Sequence, residues 1–163
     1  MKIQVLENFL ESLLLGRGIS EIFHQQDFFI DLIKEDVKEN FPPNIRVQLY
    51  SDWRLNDKVW WDELVINSPL NTKNLSMPLE PIRGFSLLYL KDSLVTSVKI
   101  LGHSDLVIYF TKNNFLFVPG LNETNEFSWI IDSSNDPKYP DIRISCDEFG
   151  CINISSAVLN ILK

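Results

Sequence analysis

Val95-Thr96-Ser97-Val98-Lys99-Ile100, Asp105-Leu106-Val107-Ile108-Tyr109-Phe110 and Phe115-Leu116-Phe117-Val118 are three strand-like runs in close succession, and Phe127-Ser128-Trp129-Ile130-Ile131 closes the series. β-Branched and aromatic residues fill the runs, and turn residues cut between them. The first three predict an antiparallel meander. Lys112-Asn113-Asn114 is the turn ahead of Phe115, since Asn tolerates the left-handed backbone of a tight turn.

A fainter copy of this opening lies upstream. Ile19-Ser20-Glu21-Ile22 aligns with Val95-Thr96-Ser97-Val98, and Asp27-Phe28-Phe29-Ile30-Asp31-Leu32 aligns with the run from Asp105 to Phe110. A helix is predicted ahead of each copy. Over residues 3–15, Ile3, Leu6, Leu10, Leu13 and Leu14 form one stripe, Glu7 and Glu11 form a polar line, and Gly16 and Gly18 stop the helix. Pro81 can open the second helix, with Ile82, Phe85, Leu88 and Tyr89 as its buried face. The expected fold class is α+β: mainly antiparallel β meanders in two similar halves, each preceded by a helix. The halves are residues 1–66 and 79–163 of a single domain, and each buries the other's sheet face.

The remaining segments follow by pattern. Ile45, Val47 and Leu49 alternate with Arg46, Gln48 and Tyr50, a strand with one wet face that is expected to run on through Trp53-Arg54-Leu55. Asp57 to Leu64 is read as extended, and Asn67 to Pro78 as the polar link between halves. Asp132 to Asp141 reads as an exposed loop. Ile142-Arg143-Ile144-Ser145 and Cys151-Ile152-Asn153-Ile154 make a last hairpin, and residues 157–162 a terminal helix.

Composition bounds the function. A chain of 163 residues, 45% of them hydrophobic, folds without a staple. A net charge of −7 and a pI near 4.8 argue against a nucleic-acid partner. No apolar run is long enough for a membrane span. Glu7 and Glu11 interrupt the apolar N-terminal run, unlike a signal peptide, so the expected location is the cytoplasm. There Cys146 and Cys151 are expected to be free thiols, although their hairpin spacing would permit a disulfide. The sequons at Asn74, Asn122 and Asn153 are chance matches in a chain that is not exported.

Catalytic chemistry is thinly represented. Asp62 and Glu63 are neighbours and, on a strand, point to opposite faces, so they make no carboxylate pair. His24 and His103 fall in equivalent loops of the two copies. A pair of imidazoles near a pseudo-twofold axis is therefore the one catalytic or metal arrangement on offer, and a small metal-dependent hydrolase the alternative reading. Together with Cys146 and Cys151 they match no zinc spacing, so no metal ligand and no cofactor is assigned.

Features suited to a protein partner are clearer. On a strand, Trp60 and Trp61 would turn one ring in and one out, and an exposed Trp is a common interface anchor. Asp57, Asp62 and Glu63 beside them suit a basic partner. Residues 120–150 hold seven acids, Glu123 and Glu126 among them, against Lys138 and Arg143. The expected partner-binding set is Asp57, Trp60, Trp61, Asp62, Glu63, Glu123 and Glu126.

Across residues 14–131 the chain resembles a group of small bacterial proteins. The likeness rests on Leu90, Val95, Ser97, Val98, Asp105, Leu106, Ile108, Phe110, Asn114, Leu116, Val118, Glu126 and Trp129, with the Trp53-Arg54 pair in the first half. Some members of the group look like immunity proteins of contact-dependent toxin systems. The resemblance implies a non-enzymatic immunity protein that binds and neutralises a cognate toxin, a basic nuclease being the natural target of so acidic a chain. It leaves the oligomeric state as monomer or homodimer. A structural homo-oligomer joined through a sheet edge is a further alternative.

Overall fold

The structure is a computed structural model, and it describes residues 3–37, 41–69, 79–133 and 137–162. In chain order the elements are α1 (Ile3–Leu14), β1 (Gly18–His24), β2 (Phe28–Ile33), β3 (Asn44–Leu49), β4 (Arg54–Leu55), α2 (Lys58–Asn67) and α3 (Glu80–Ser86). They continue with β5 (Val95–Leu101), β6 (Asp105–Phe110), β7 (Phe115–Val118), β8 (Phe127–Ser133), β9 (Arg143–Asp147), β10 (Ile152–Ile154) and α4 (Ser156–Ile161).

The fold is α+β, with every strand pair antiparallel. α1 leads into the β1–β2–β3 meander, and α3 precedes β5–β6–β7. Phe28, Ile30 and Leu32 are buried on β2 as Leu106, Ile108 and Phe110 are on β6. Both opening hairpins also shift register at the aligned position, between Ile19 and Glu21 in one and between Val95 and Ser97 in the other. Lys112 and Asn113 take left-handed backbone at the turn before Phe115.

The two sheets run β1-β2-β3-β8-β9-β10 and β4-β7-β6-β5. β8 to β10 thus extend the sheet that β1 to β3 begin. The buried side chains of both sheets and of α1 form one core, in which Trp53 and Trp129 are the largest. The polar line on α1 has a structural use. Glu7 accepts from the Ile100 amide (2.8 Å), and Glu11 accepts from the Ser97 hydroxyl (2.7 Å), so α1 covers the outer edge of β5.

Several sequence expectations are corrected. Ile3 is exposed, outside the buried stripe of α1. The β3 strand does not run on through Trp53. It stops at Leu49, and Arg54-Leu55 joins the other sheet as β4. Of Asp57 to Leu64, expected as extended, the segment from Lys58 onward is helical instead, and the extended Asp57 caps it by accepting from the Trp60 amide (3.0 Å). The second helix buries Ile82 as expected, but its continuation turns a different face inward. It tightens after Ser86 into a 3-10 turn over Leu87–Leu90, in which residues three apart share a side. Leu87 and Leu90 are therefore buried, while Phe85, Leu88 and Tyr89 are exposed. Most of the link expected between halves lies outside the described residues. Cys146 faces Ile152 across the last hairpin, and Cys146 and Cys151 are free. Burial pushes the Cys146 thiol up to about 12, which keeps it unreactive.

Candidate partner-binding site

Five of the expected partner-binding residues belong to α2 and its cap. Helical spacing turns Trp61 inward, where it is buried, and leaves Asp62 and Glu63 in solvent. Lys58 pairs with Asp62 one turn on (2.8 Å), which offsets one of the acids. Trp60 is half-buried and meets Tyr89 edge to face at 5.3 Å, and Tyr89 meets Phe85 in the same manner at 6.2 Å. An aromatic cluster of Trp60, Phe85 and Tyr89 therefore reaches the surface where α2 meets the 3-10 turn that follows α3. The aromatic surface here is formed by this cluster, with Trp61 turned inward.

Glu123 and Glu126 part company. Glu126 borders a hollow beside Arg143, Asp147 and Phe149. Glu123 stands at the mouth of a larger cleft of about 630 Å³. Four segments build that cleft: the β1–β2 turn with Gln26, Asp27 and Phe28, the exit of β3 from Leu49 to Trp53, the start of α3 with Glu80 and Arg83, and the loop Leu121–Asn125. The loop is held in place. Asn122 and Asn125 donate to the Tyr50 carbonyl at 3.3 and 2.8 Å, and Asn122 also donates to the Phe127 carbonyl at 2.8 Å.

The cleft is acidic. Asp27, Asp52, Glu80 and Glu123 face one cation, Arg83. Arg83 is already engaged: it donates to Asp52 (2.6 Å) and to the Trp53 carbonyl (3.1 Å), and its guanidinium lies 5.8 Å from the Trp53 ring centre. Among the described residues, one Glu80 carboxylate oxygen is buried with no hydrogen-bond partner. Burial raises the pKa of Asp27, against the opposing pull of His24. Burial, reinforced by Asp27 and Asp132, raises that of Tyr50.

A carboxyl whose pKa is raised on folding costs stability once ionised. That cost is absent below the unfolded pKa and complete above the folded one. Asp27→Asn is therefore expected to raise the Tm at neutral pH. The gain should shrink to nothing as the pH drops below the ordinary Asp value of about 3.9. Thermal unfolding of both proteins across pH checks this.

His24 stacks on Phe28 with ring centroids 4.3 Å apart, beside the cleft. His103 sits exposed at the β5–β6 turn. The two lie in matching hairpins, but among the described residues no three His, Cys, Asp or Glu side chains gather to hold a metal. No helix among those residues is long and apolar enough to cross a membrane.

Comparison of the chain with protein-family models, curated proteins and solved structures finds no match. Of the residues expected from the sequence, Glu123 lines this cleft and Trp60 joins the aromatic cluster, while Asp27, Asp52, Glu80 and Arg83 line the cleft without having been expected there. Asp52 beside Trp53 and the Asp27 turn were signals within reach. No local pattern places Arg83 or Glu80 across from them.

Proposed function

We propose that this chain is a non-enzymatic binding protein of the immunity type, taking a basic surface of a protein toxin onto its acidic cleft. The observation that carries the reading is the charge balance of the cleft: four carboxylates around one arginine that is already paired. An incoming lysine or arginine meets carboxylates and displaces no cation. The rings of Trp60, Phe85 and Tyr89 on the neighbouring helices supply anchors of the type that dominate interface energies. A toxin that acts on nucleic acid must bind phosphate, so its working surface is basic. An acidic protein is steered toward that surface and covers it. The reading places the complex in the cytoplasm, with neither nucleic acid nor membrane as direct partner.

Co-expression with the adjacent open reading frame, followed by co-purification, is the deciding experiment. The expected result is a tight complex and relief of toxicity. A neighbour that is harmless and does not co-purify removes the reading. In the complex, Asp52→Lys with Glu123→Lys should slow association and flatten its dependence on salt, while Tyr89→Ala should mainly speed dissociation. Asp27→Asn should weaken binding while it stabilises the free protein, since a group kept at a cost to stability is used elsewhere.

A further inference from the structure

The outer face of the six-stranded sheet carries a chain of hydrogen bonds that leads from β8 to the acidic cleft. Arg46, Gln48 and Tyr50 alternate with the buried Val47 and Leu49, so the three side chains share that outer face. The Tyr50 hydroxyl donates to Gln48 Oε1 (2.6 Å), and Gln48 Nε2 donates to Asp132 Oδ2 (2.5 Å). Tyr50 also lines the cleft. Its ring packs beside that of Phe127, with centroids 6.4 Å apart, which helps to fix the hydroxyl oxygen in place.

Asp132 dictates every orientation in this chain. An ionised carboxylate only accepts, so the Gln48 amide must turn its NH2 toward it. The amide oxygen is then left for Tyr50, and the phenol must donate. Asp132 stands in register between Arg46 of β3 and Arg143 of β9. Neither pairs with it among the described residues, and the Arg46 fork is taken by Asp31 of β2 (2.7 and 2.8 Å). The half-buried carboxylate therefore rests on one neutral amide. Burial raises its pKa; Arg143, Arg46 and the Gln48 bond oppose the rise, and Asp31 adds to it.

We propose that Asp132 is a proton-operated switch, in which uptake of a proton turns the Gln48 amide over and changes the Tyr50 hydroxyl from donor to acceptor within the chain. A protonated carboxyl carries an O–H that needs an acceptor, and the two arginines in register beside it have none. The Gln48 oxygen is the acceptor that a turn of the amide brings to it. Nε2 then donates to the Tyr50 oxygen, so the chain still holds two hydrogen bonds. The phenol proton is released toward the cleft. The cleft rim thus presents a lone pair of Tyr50 at neutral pH and an O–H in acid. The relay belongs to the free protein and holds whatever the cleft takes up.

Nuclear magnetic resonance of the free protein, titrated from neutral pH into acid, tests the switch. The Asp132 carboxyl carbon should titrate above the ordinary Asp value of about 3.9, and the Gln48 side-chain amide and Tyr50 Cζ should shift with the same midpoint. The titration is repeated in Asp27→Asn, because Asp27 also acts on Tyr50; the shared midpoint should persist. Asp132→Asn should remove the step from both reporters. Gln48→Met keeps the field of Asp132 but cuts the chain, so Asp132 should still titrate while Tyr50 loses most of its step. A Tyr50 step of full size in Gln48→Met is a through-space effect and overturns the proposal. So does a Gln48 amide that stays still in the parent while Asp132 titrates, a result that needs no substitution at Gln48.

Discussion

Arg17→Met is expected to lower the unfolding free energy by about 3–5 kcal/mol, a large share of the roughly 5–15 kcal/mol that holds a domain together. Arg17 is 1% exposed, yet among the described residues no carboxylate pairs with it. Its guanidinium serves three backbone carbonyls. Nε donates to Leu13 (2.6 Å), one terminal nitrogen to Pro42 (2.7 Å), and the other to Pro43. Leu13 belongs to the last turn of α1, where free carbonyls and the negative end of the helix dipole favour a cation. The same side chain thus caps α1 and ties down the Pro42-Pro43 segment that leads into β3. Burial lowers its pKa to about 10, still far enough above neutral pH to keep it charged. Met fills much of the space but leaves three buried acceptors without donors, at about 1–3 kcal/mol each before relaxation. Arg17→Lys should recover only part of the loss, because an ammonium lacks the planar fork that reaches three divergent carbonyls. Urea denaturation of the three proteins measures this. A midpoint unchanged in Arg17→Met would mean that water serves the carbonyls equally well.

The second large effect is expected at Gly120. A Cβ there would lie 2.0 Å from the His103 carbonyl oxygen and 2.5 Å from the Ser104 carbonyl carbon. Both are backbone atoms, so no side-chain rotation relieves the overlap. The obstacle is space, since Gly120 is not among the residues with positive φ. The contact also lies at a junction between the sheets. The Gly120 amide donates to Asp105 (2.9 Å) and its carbonyl accepts from Ser128 (2.8 Å), while the Trp129 indole donates to the Ser104 carbonyl (3.0 Å). Gly120→Ala must push the β5–β6 turn away from β8 and break this set, at a cost of about 3 kcal/mol or more. A drop in the urea midpoint and a changed near-ultraviolet signal from Trp129 are the expected observations. Gly84→Ala is the control. A Cβ at Gly84 comes no closer than 3.6 Å to the Phe28 ring, an ordinary contact, and the helical position should gain up to about 1 kcal/mol. If both glycines respond alike, crowding against the turn is not the cause.

What the sequence alone determined is the local geometry that repeats along the chain. Alternation sorted Phe28, Ile30 and Leu32, and Leu106, Ile108 and Phe110, onto buried faces, because a strand turns successive side chains to opposite sides. The stripe on α1, the left-handed turn before Phe115 and the acidic balance were legible for the same reason: each depends on neighbours within a few positions. Tertiary structure decided the rest. Residues 58–67 have apolar side chains nearly all round, so neither period stands out, and the Asp57 cap with the burial of Trp61 selects the helix. The rotation of the 3-10 turn exposed Tyr89 and buried Leu90. β8 left the second meander for β3, a choice any amphipathic strand can make until a partner at long range presents its edge. The acidic cleft is of this second kind. Asp27, Asp52, Glu80 and Glu123 come from four distant segments, and only the closing of the sheets around one core brings them to a single opening.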